Sequence, residues 1–256
     1  MQEQNTRESR VAFVTGASYG IGAATALALA RDGFDIAIAA TRAENLSKTA
    51  PKLEATGRRV VPLSLDIRSP SGIERAMAEV ISVLGRVDVL VNNAGITLRK
   101  KAVDITAAEW ETVIATNVTG TFFMSQQMGR HLIGTGRPGC IINMASTYGV
   151  VGFPERAAYG ISKAAIMHMT RMLAIEWAPH GIRVNAIAPG RVETNSPMRV
   201  STSTNPQYLE AARNRVPLRR FASSEEVAEA VRYLASPGAS YITGQTLFLD
   251  GGLTAQ

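Results

Sequence analysis

The chain has few of the residues that form disulfides or bind metals, and it lacks the long apolar runs that span membranes. It has 1 cysteine and 3 histidines in 256 residues, and no apolar run reaches the ~18 residues that a membrane-spanning helix needs. The single cysteine, Cys140, excludes an internal disulfide, and its apolar surroundings predict a small core residue in a reducing compartment. His131, His168 and His180 lack ligand spacing, so no metal site is expected. A polar N-terminus without a signal-peptide core predicts a cytoplasmic protein that binds no membrane.

Acidic residues are also in deficit, since Lys and Arg number 27 against 21 Asp and Glu, a formal charge of +6. A basic balance can indicate nucleic-acid binding, but these cations are spread along the chain apart from short runs such as 99–101 and 219–220. Dispersed cations are typical of a solvated surface. We therefore expect no nucleic-acid partner.

Apolar strand-like runs alternate with helical patterns along the whole chain. Strands are predicted at 11–14, 34–40, 60–65, 87–91, 140–144, 182–188 and 245–249, and helices at 23–31, 44–57, 71–84, 106–132, 207–215 and 224–234. A further helix starts before Lys163, keeps its helical spacing through Trp177 and runs on to Pro179. This alternation predicts one doubly wound α/β (Rossmann) domain at 10–256, a seven-stranded parallel sheet with helices on both faces. Residues 1–9 are expected to be a polar tail. The polar, irregular stretch within 191–220 predicts a substrate lid.

A glycine-rich turn follows the first predicted strand and precedes the first helix. It reads Thr15-Gly16-Ala17-Ser18-Tyr19-Gly20-Ile21-Gly22. Glycines let a backbone pass close to a pyrophosphate, whose charge a helix N-terminus favours. The spacing differs from the usual Gly-x-Gly-x-x-Gly dinucleotide fingerprint, so a purely structural turn is the alternative. The fourth strand ends in Asn92-Asn93-Ala94-Gly95, at the sheet edge where such folds bind ligands.

Tyr159 and Lys163 stand four residues apart in a helical pattern, which places both side chains on one face. An ammonium beside a phenol stabilises the phenolate, and a free tyrosine titrates near 10. Ser146, at the end of the preceding strand, could hold an alcohol or ketone oxygen next to the phenol, as general acid/base catalysis requires. The spacing alone also occurs in helices whose tyrosine and lysine are merely solvated.

In their order and separation these motifs resemble the short-chain dehydrogenase/reductase family over almost the whole chain. The residues that carry the resemblance are Thr15, Gly16, Gly20, Gly22, Asp66, Asn92–Gly95, Asn117, Ser146, Tyr159, Lys163, Pro189 and Gly190. It implies an NAD(P)-dependent oxidoreductase that transfers hydride between the nicotinamide and a substrate carbon, with the protein supplying position and electrostatics.

The resemblance also implies a role for each matching residue. Tyr159 is the general acid/base, Lys163 lowers its pKa and holds the nicotinamide ribose, Ser146 orients the substrate oxygen, and Asn117 positions a water in a proton relay. Asp66 would meet the adenine amine and Thr194 the carboxamide. The cofactor-binding set is Gly16, Ser18, Tyr19, Gly20, Ile21, Gly22, Thr41, Arg42, Asp66, Ile67, Asn93, Ala94, Gly95, Tyr159, Lys163, Pro189, Gly190, Val192 and Thr194.

Two substrate classes fit this family: a small secondary alcohol or ketone such as a sugar or polyol, and a 3-oxoacyl group on an acyl carrier protein. Carrier-dependent relatives place a basic residue before the glutamate of the helix that follows the catalytic lysine, whereas Ile175 precedes Glu176 here. Arg137 lies near the other expected basic position. We favour the small polar substrate. A dinucleotide-binding sensor without turnover is a further alternative, disfavoured because the catalytic residues are all present.

The end of the second strand, Thr41-Arg42, bears on the choice of cofactor. An NAD enzyme usually places an Asp or Glu there to bind both ribose hydroxyls, and Asp35 lies too early in the strand. Arg42 could bind a 2′-phosphate, so NADP(H) is favoured. Because Tyr19 stands where many NADP-dependent relatives carry Lys or Arg, NAD(H) stays possible. The resemblance, with the apolar residues Leu234, Leu247 and Leu249, further predicts a homotetramer.

Overall fold

A parallel sheet forms the centre of the molecule in the computed structural model, which describes residues 9–194 and 205–255. Within these ranges the sheet has seven strands in the order β3-β2-β1-β4-β5-β6-β7. They are β1 (Val11–Thr15), β2 (Asp35–Ala40), β3 (Val60–Ser64), β4 (Val89–Asn92), β5 (Gly139–Met144), β6 (Ile182–Pro189) and β7 (Thr246–Leu249). The strand order reverses between β1 and β4, and ligands bind at the carboxyl edge of such a switch point. The predicted fold class is confirmed.

Helices cover both faces of the sheet. They are α1 (Gly20–Arg31), α2 (Ala50–Glu54), α3 (Pro70–Leu84), α4 (Ala107–Ile114), α5 (Thr121–Thr135), α6 (Ala157–Trp177), α7 (Pro206–Asn214) and α8 (Ser224–Ala235). Side chains of α1 and α8 pack on one face of the sheet, and those of α3, α5 and α6 pack on the other. Along β1, Phe13 faces the second layer and Val14 the first, as the two-residue period of a strand requires.

The helix predicted at 44–57 is interrupted. The chain forms a 3₁₀ turn at Ala43–Leu46 and then the short helix α2. Pro51 lies in the first turn of α2, where its missing N–H costs nothing, whereas within a longer helix it would break the hydrogen-bond ladder. The Thr49 hydroxyl donates to the Ser18 carbonyl at 3.2 Å. This contact joins the segment to the glycine turn.

The helix predicted at 106–132 is also subdivided. Helix α4 begins with a capping box between Thr106 and Glu109 and passes through a π-helical turn, Ala115–Gly120, into α5. Such turns insert one extra residue per turn and often occur at functional sites. Here the π-turn places Asn117 against the sheet edge.

Three further predictions concern the lid, the single cysteine and a membrane-spanning helix. Residues 195–204 of the predicted lid lie outside the described residues, so the lid remains a prediction. Cys140 is free and buried, and burial raises the pKa of its thiol to about 11. This confirms its role in the core. Among the described helices, none has the length and apolarity of a membrane span.

Candidate active site

The glycine turn and the residues that follow β4 are in close contact. Gly16 has φ +65, and a Cβ there would lie 2.8 Å from the Cα of Ala94. A Cβ on Gly22 would lie 2.3 Å from the Gly16 carbonyl oxygen. The Asn93 side-chain amide donates to the Thr15 and Gly16 carbonyls at 3.1 and 2.9 Å. Only glycine fits these places, and Asn93 acts as a brace between the two turns.

A cleft of about 560 Å³ opens above this turn at the carboxyl edge of the sheet, within the size range of ligand pockets. Most of the predicted cofactor residues line it: Gly16, Ser18, Tyr19, Gly20, Ile21, Thr41, Asp66, Ile67, Asn93, Ala94, Gly95, Tyr159, Lys163, Pro189, Gly190, Val192 and Thr194. Gly22 lies buried beneath the turn. Sequence reasoning missed other lining residues, among them Thr15, Asn45, Arg68 and Thr97. We name this space the cofactor cleft.

Two features of the cofactor cleft match an anionic dinucleotide. The N-cap of α1, Tyr19, provides no side-chain cap, and the first turn contains no acidic residue. The N–H groups of that turn and the helix dipole therefore favour a phosphate from outside the helix. Beside the same turn, where a Cβ on Gly20 would lie 3.3 Å from the Cβ of Thr194, the buried Thr194 hydroxyl has no hydrogen-bond partner among the described residues. A ligand amide would satisfy it.

Asp66 and Arg68 form an ion pair at the far end of the cofactor cleft. The Nη2 of Arg68 lies 2.6 Å from Oδ2 of Asp66. This hydrogen bond keeps the pKa of Asp66 below its usual value. Arg68 follows the end of β3 by four residues. This closeness to a strand end is the sequence feature that could have identified Arg68 as a cleft residue.

Arg42, which is predicted to contact the cofactor, is not among the residues that line the cleft. Arg42 is exposed and precedes the 3₁₀ turn Ala43–Leu46, and it is absent from the residues that line the cleft, whereas Thr41 and Asn45 line it. The side chain therefore stands beside the cleft and would have to turn inward to reach a phosphate. Asp35 lies at the opposite edge of the sheet, paired with Arg59 at 2.8 Å.

Tyr159 and Ser146 lie where the cofactor cleft meets a second cleft of about 430 Å³. Ser146 follows β5, and its Oγ accepts a hydrogen bond from the Tyr148 amide at 3.3 Å. Tyr159 lies in the first turn of α6, with its ring 6.2 Å from that of Tyr148 in an edge-on arrangement. The two hydroxyl-bearing residues thus border both spaces. A reacting carbon held between the clefts would have both within its reach.

Lys163 lies one turn along α6 from Tyr159 and lines only the cofactor cleft. Its side chain is 4% exposed, and Nζ donates to the Met144 carbonyl at 2.6 Å. The ammonium is 5.6 Å from the centre of the Tyr159 ring. Because burial disfavours the charged form, the pKa of Lys163 is lowered to about 8. Lys163 can therefore exchange a proton near neutral pH.

Asn117 is fully buried in the π-turn, and its side chain is already in use. Oδ1 accepts from the Ile96 amide at 2.8 Å, and Nδ2 donates to the Ile96 carbonyl at 2.9 Å and to Ser162 Oγ at 3.0 Å. These bonds join the π-turn to the loop after β4 and to α6. The side chain of Asn117 therefore acts as a brace, and the role of this residue in positioning a water remains a prediction.

A doubly wound sheet whose two clefts meet at a Tyr-x-x-x-Lys helix defines a dinucleotide-dependent oxidoreductase. The family model described as enoyl-(acyl carrier protein) reductase matches residues 16–254. The chain belongs to the short-chain dehydrogenase/reductase family, as its motifs predicted. It is therefore an oxidoreductase that acts on CH–OH groups with a nicotinamide cofactor.

Several members of that family are similar to the chain over nearly its full length. Glucose 1-dehydrogenase of Gluconobacter oxydans is 38% identical, covering 94% of this chain and 91% of the relative. A 3-oxoacyl-[acyl-carrier-protein] reductase of Thermotoga maritima is 39% identical, covering 96% and 98%. The crystal structure of a short-chain type dehydrogenase/reductase from Mycobacterium marinum superposes with a TM-score of 0.91 at 34% identity, covering 97% of both chains.

Proposed function

We propose that the protein interconverts a small polar secondary alcohol and its ketone, with NADP(H) as the preferred cofactor. The observation that carries the proposal is the position of Tyr159 and Ser146 on the border between the two clefts. A cofactor in one cleft and a substrate in the other would meet at these hydroxyls.

The bound nicotinamide supplies or accepts the hydride. Ser146 Oγ is held by the Tyr148 amide, so its own proton can point to the substrate oxygen and fix the carbonyl or alcohol in place. The Tyr159 phenol gives its proton to that oxygen during reduction and takes it back during oxidation. The hydrogen bond that the Ser146 hydroxyl donates to the same oxygen stabilises the charge that develops there.

Lys163 would support this proton transfer in two ways. Its ammonium lies close enough to Tyr159 to stabilise the phenolate, and its place in the cofactor cleft lets it donate to the nicotinamide ribose. Asn117 would position a water in the proton relay beside Lys163. Gly95 leaves room for this arrangement, because a Cβ there would stand 3.1 Å from Asn117 Oδ1 and 3.6 Å from Lys163 Nζ.

The preference for NADP(H) rests on charge at the end of β2. Thr41 occupies the place of the ribose-binding acid, and two cations stand near it, Arg42 beside the cleft and Arg68 in its wall. Arg42 could offer planar donors to a 2′-phosphate, whereas the Nε and Nη2 groups of Arg68 already donate to Asp66 and leave it mainly a nearby positive charge. Asp35, already paired with Arg59, cannot replace the missing acid. NAD(H) would bind with fewer charge contacts.

The small polar substrate is favoured over an acyl carrier protein by two positions. Arg137 lies in the turn between α5 and β5, at the amino edge of the sheet and so opposite the clefts. Ile175, where carrier-dependent relatives have a basic residue, is an apolar side chain 77% exposed on α6. Neither position offers the acidic carrier a cation near the entrance of the site.

The test is a panel of paired alcohols and ketones, followed by nicotinamide absorbance with NADP(H) and with NAD(H). We expect turnover of a sugar, polyol or small hydroxy compound, with a higher kcat/KM for the phosphorylated cofactor. Turnover of 3-oxoacyl-carrier substrates alone would favour the carrier-dependent alternative. A preference for NAD(H) would show that the cations at the end of β2 do not bind phosphate.

We also propose that the chain forms a homotetramer. Leu234 is buried in its own core, so it does not contribute to such an interface, but Leu247 and Phe248 on the edge strand β7 are 40% and 38% exposed. On α6, Ile161, Met172 and Ile175 are exposed at helical spacing. Two separate apolar surfaces suit an assembly with two kinds of two-fold interface. Light scattering that reports a monomer at micromolar concentration would refute this.

A further inference from the structure

The second cleft has an unusual charge balance. Four arginines line it, Arg99, Arg156, Arg191 and Arg215, and none of the described lining residues is an aspartate or glutamate. Resting on the proposed function, we infer that the substrate carries a carboxylate and that Arg156 binds it. The group that reacts and the group that is recognised would then be separate parts of one hydroxy or oxo acid.

Arg156 is the arginine best placed to bind an anion beside the reacting oxygen. It is the N-cap residue of α6, three positions before Tyr159, and it shares the second cleft with that residue. Its Nη1 donates to Thr97 Oγ1 at 2.9 Å, while its buried Nε has no hydrogen-bond partner among the described residues. Buried N–H groups are almost always paired. A carboxylate oxygen would supply the partner that the protein does not.

The other arginines of this cleft have partners that hold their positions without removing the overall positive charge. Arg191 lies over the Phe221 ring at 4.6 Å, and Arg215 lies over the Phe153 ring at 5.0 Å. A guanidinium stacked on an aromatic face keeps its charge and its in-plane donors. Arg99 is neutralised by Glu155, whose Oε2 accepts from its Nε at 2.7 Å. The remaining field concentrates anions in a cleft with apolar walls.

A planar carboxylate suits this site better than a phosphate. The Nη1 group of Arg156 already donates to Thr97. The edge formed by Nε and Nη2 remains, and its two parallel N–H groups match the two coplanar oxygens of a carboxylate. The N-terminus of α6 adds a favourable partial charge for a single anion. A phosphorylated substrate is the outcome that the test must separate from this.

The experiment compares an acid with its neutral analogue on the enzyme loaded with NADPH for the reductions and with NADP⁺ for the oxidations. The probes are 3-oxobutanoate against its methyl ester for reduction, and D-gluconate against D-glucitol for oxidation, with 3-oxobutyl phosphate as the phosphate probe. For the acids we expect a kcat/KM at least about tenfold higher than for the neutral partners, through KM, and a decline of this advantage with added salt. Equal values for acid and neutral analogue, or the highest value for the phosphate, would overturn the inference.

Variants of Arg156 test whether this residue binds the carboxylate. Arg156→Gln should lower kcat/KM for the acids by about ten- to hundredfold and change the ester by less than about twofold. Arg156→Lys, which keeps the charge but loses the planar fork, should fall between wild type and Arg156→Gln. Arg31→Gln, at the exposed C-terminal end of α1, is the matched control. Equal losses for acid and ester would show that Arg156 is only structural.

Calorimetry separates failure of this inference from failure of the proposed function. If no compound of the panel is turned over, the proposed oxidoreductase activity fails. Titration of the enzyme–NADP complex with 3-oxobutanoate and D-gluconate still decides the inference, since wild type should bind them and Arg156→Gln should not. Absence of carboxylate binding in wild type would overturn it even if neutral ketones are reduced.

Discussion

The two clefts of this protein are built in different ways. The cofactor cleft consists of strand ends, glycine turns and short side chains, and its shape depends on backbone contacts such as that between Gly16 and Ala94. The second cleft is walled by arginines and aromatic rings from segments far apart in the chain, including Arg156, Arg215 and Phe221. In the proposed function, the first cleft binds a cofactor common to many enzymes through its backbone, and the second selects the substrate through its long side chains. Tyr159 and Ser146 lie between the two.

The largest effect is expected from Tyr159, which lines both clefts. Tyr159→Phe keeps the ring and removes the transferable proton, so turnover should fall by roughly 10²- to 10⁴-fold while the cofactor dissociation constant changes little. Steady-state kinetics and a fluorescence titration with NADPH measure the two quantities. Wild-type turnover in this variant would exclude Tyr159 as the general acid/base.

Lys163→Met should lower activity but raise the stability of the fold. Turnover and cofactor affinity should both fall, because Lys163 lies beside Tyr159 and in the cofactor cleft. The free energy of unfolding should instead rise relative to wild type below pH 8, where burial of the ammonium costs the fold on the order of 3 kcal/mol.

The sign of the pH dependence follows from the two states of Lys163. Its pKa is about 8 in the fold and 10.5 as the ordinary value, so the unfolded chain binds the proton more tightly. The cost is present in full below pH 8 and disappears as the pH rises through 10.5. Chemical denaturation of both proteins from pH 7 to pH 10.5 measures it. A constant difference across this range would show that Lys163 is not a buried cation.

Arg42→Ala tests whether the Arg42 side chain, at the end of β2, contributes to cofactor binding. If Arg42 turns inward to the 2′-phosphate, NADP affinity should weaken by about 1.5–3 kcal/mol, ten- to hundredfold, with NAD nearly unchanged. Lys52→Ala, an exposed cation on α2, is the control for general charge. Equal losses for both cofactors would contradict the contact.

Thr194→Val should give the smallest effect. The hydroxyl is buried without a partner among the described residues, so its removal should not destabilise the free protein. Cofactor affinity should fall by about 0.5–1.5 kcal/mol if the hydroxyl binds the carboxamide. Thermal unfolding with and without NADPH separates the two. A loss of stability without cofactor would mean that Thr194 has a structural role.

The amino-acid sequence by itself determined the fold class and most of the cofactor cleft. Strands and helices are local patterns of apolar residues, and parallel strands bring their carboxyl ends to one edge, so Gly16, Asn93 and Ser146 could be assigned to that edge from chain order alone. The spacing of Tyr159 and Lys163 places them on one helix face for the same reason.

Only the tertiary structure decided which side chains share a space. The π-turn that directs Asn117 into the sheet edge, the burial that lowers the pKa of Lys163, and the arginines gathered around Tyr159 from 99 to 215 all depend on contacts between distant segments. Leu234, which is buried in the core, and Arg42, which does not line the cofactor cleft, show the same limit. Hydrophobic periodicity assigns a residue to a face, but packing against other elements fixes its environment and therefore its charge state and partners.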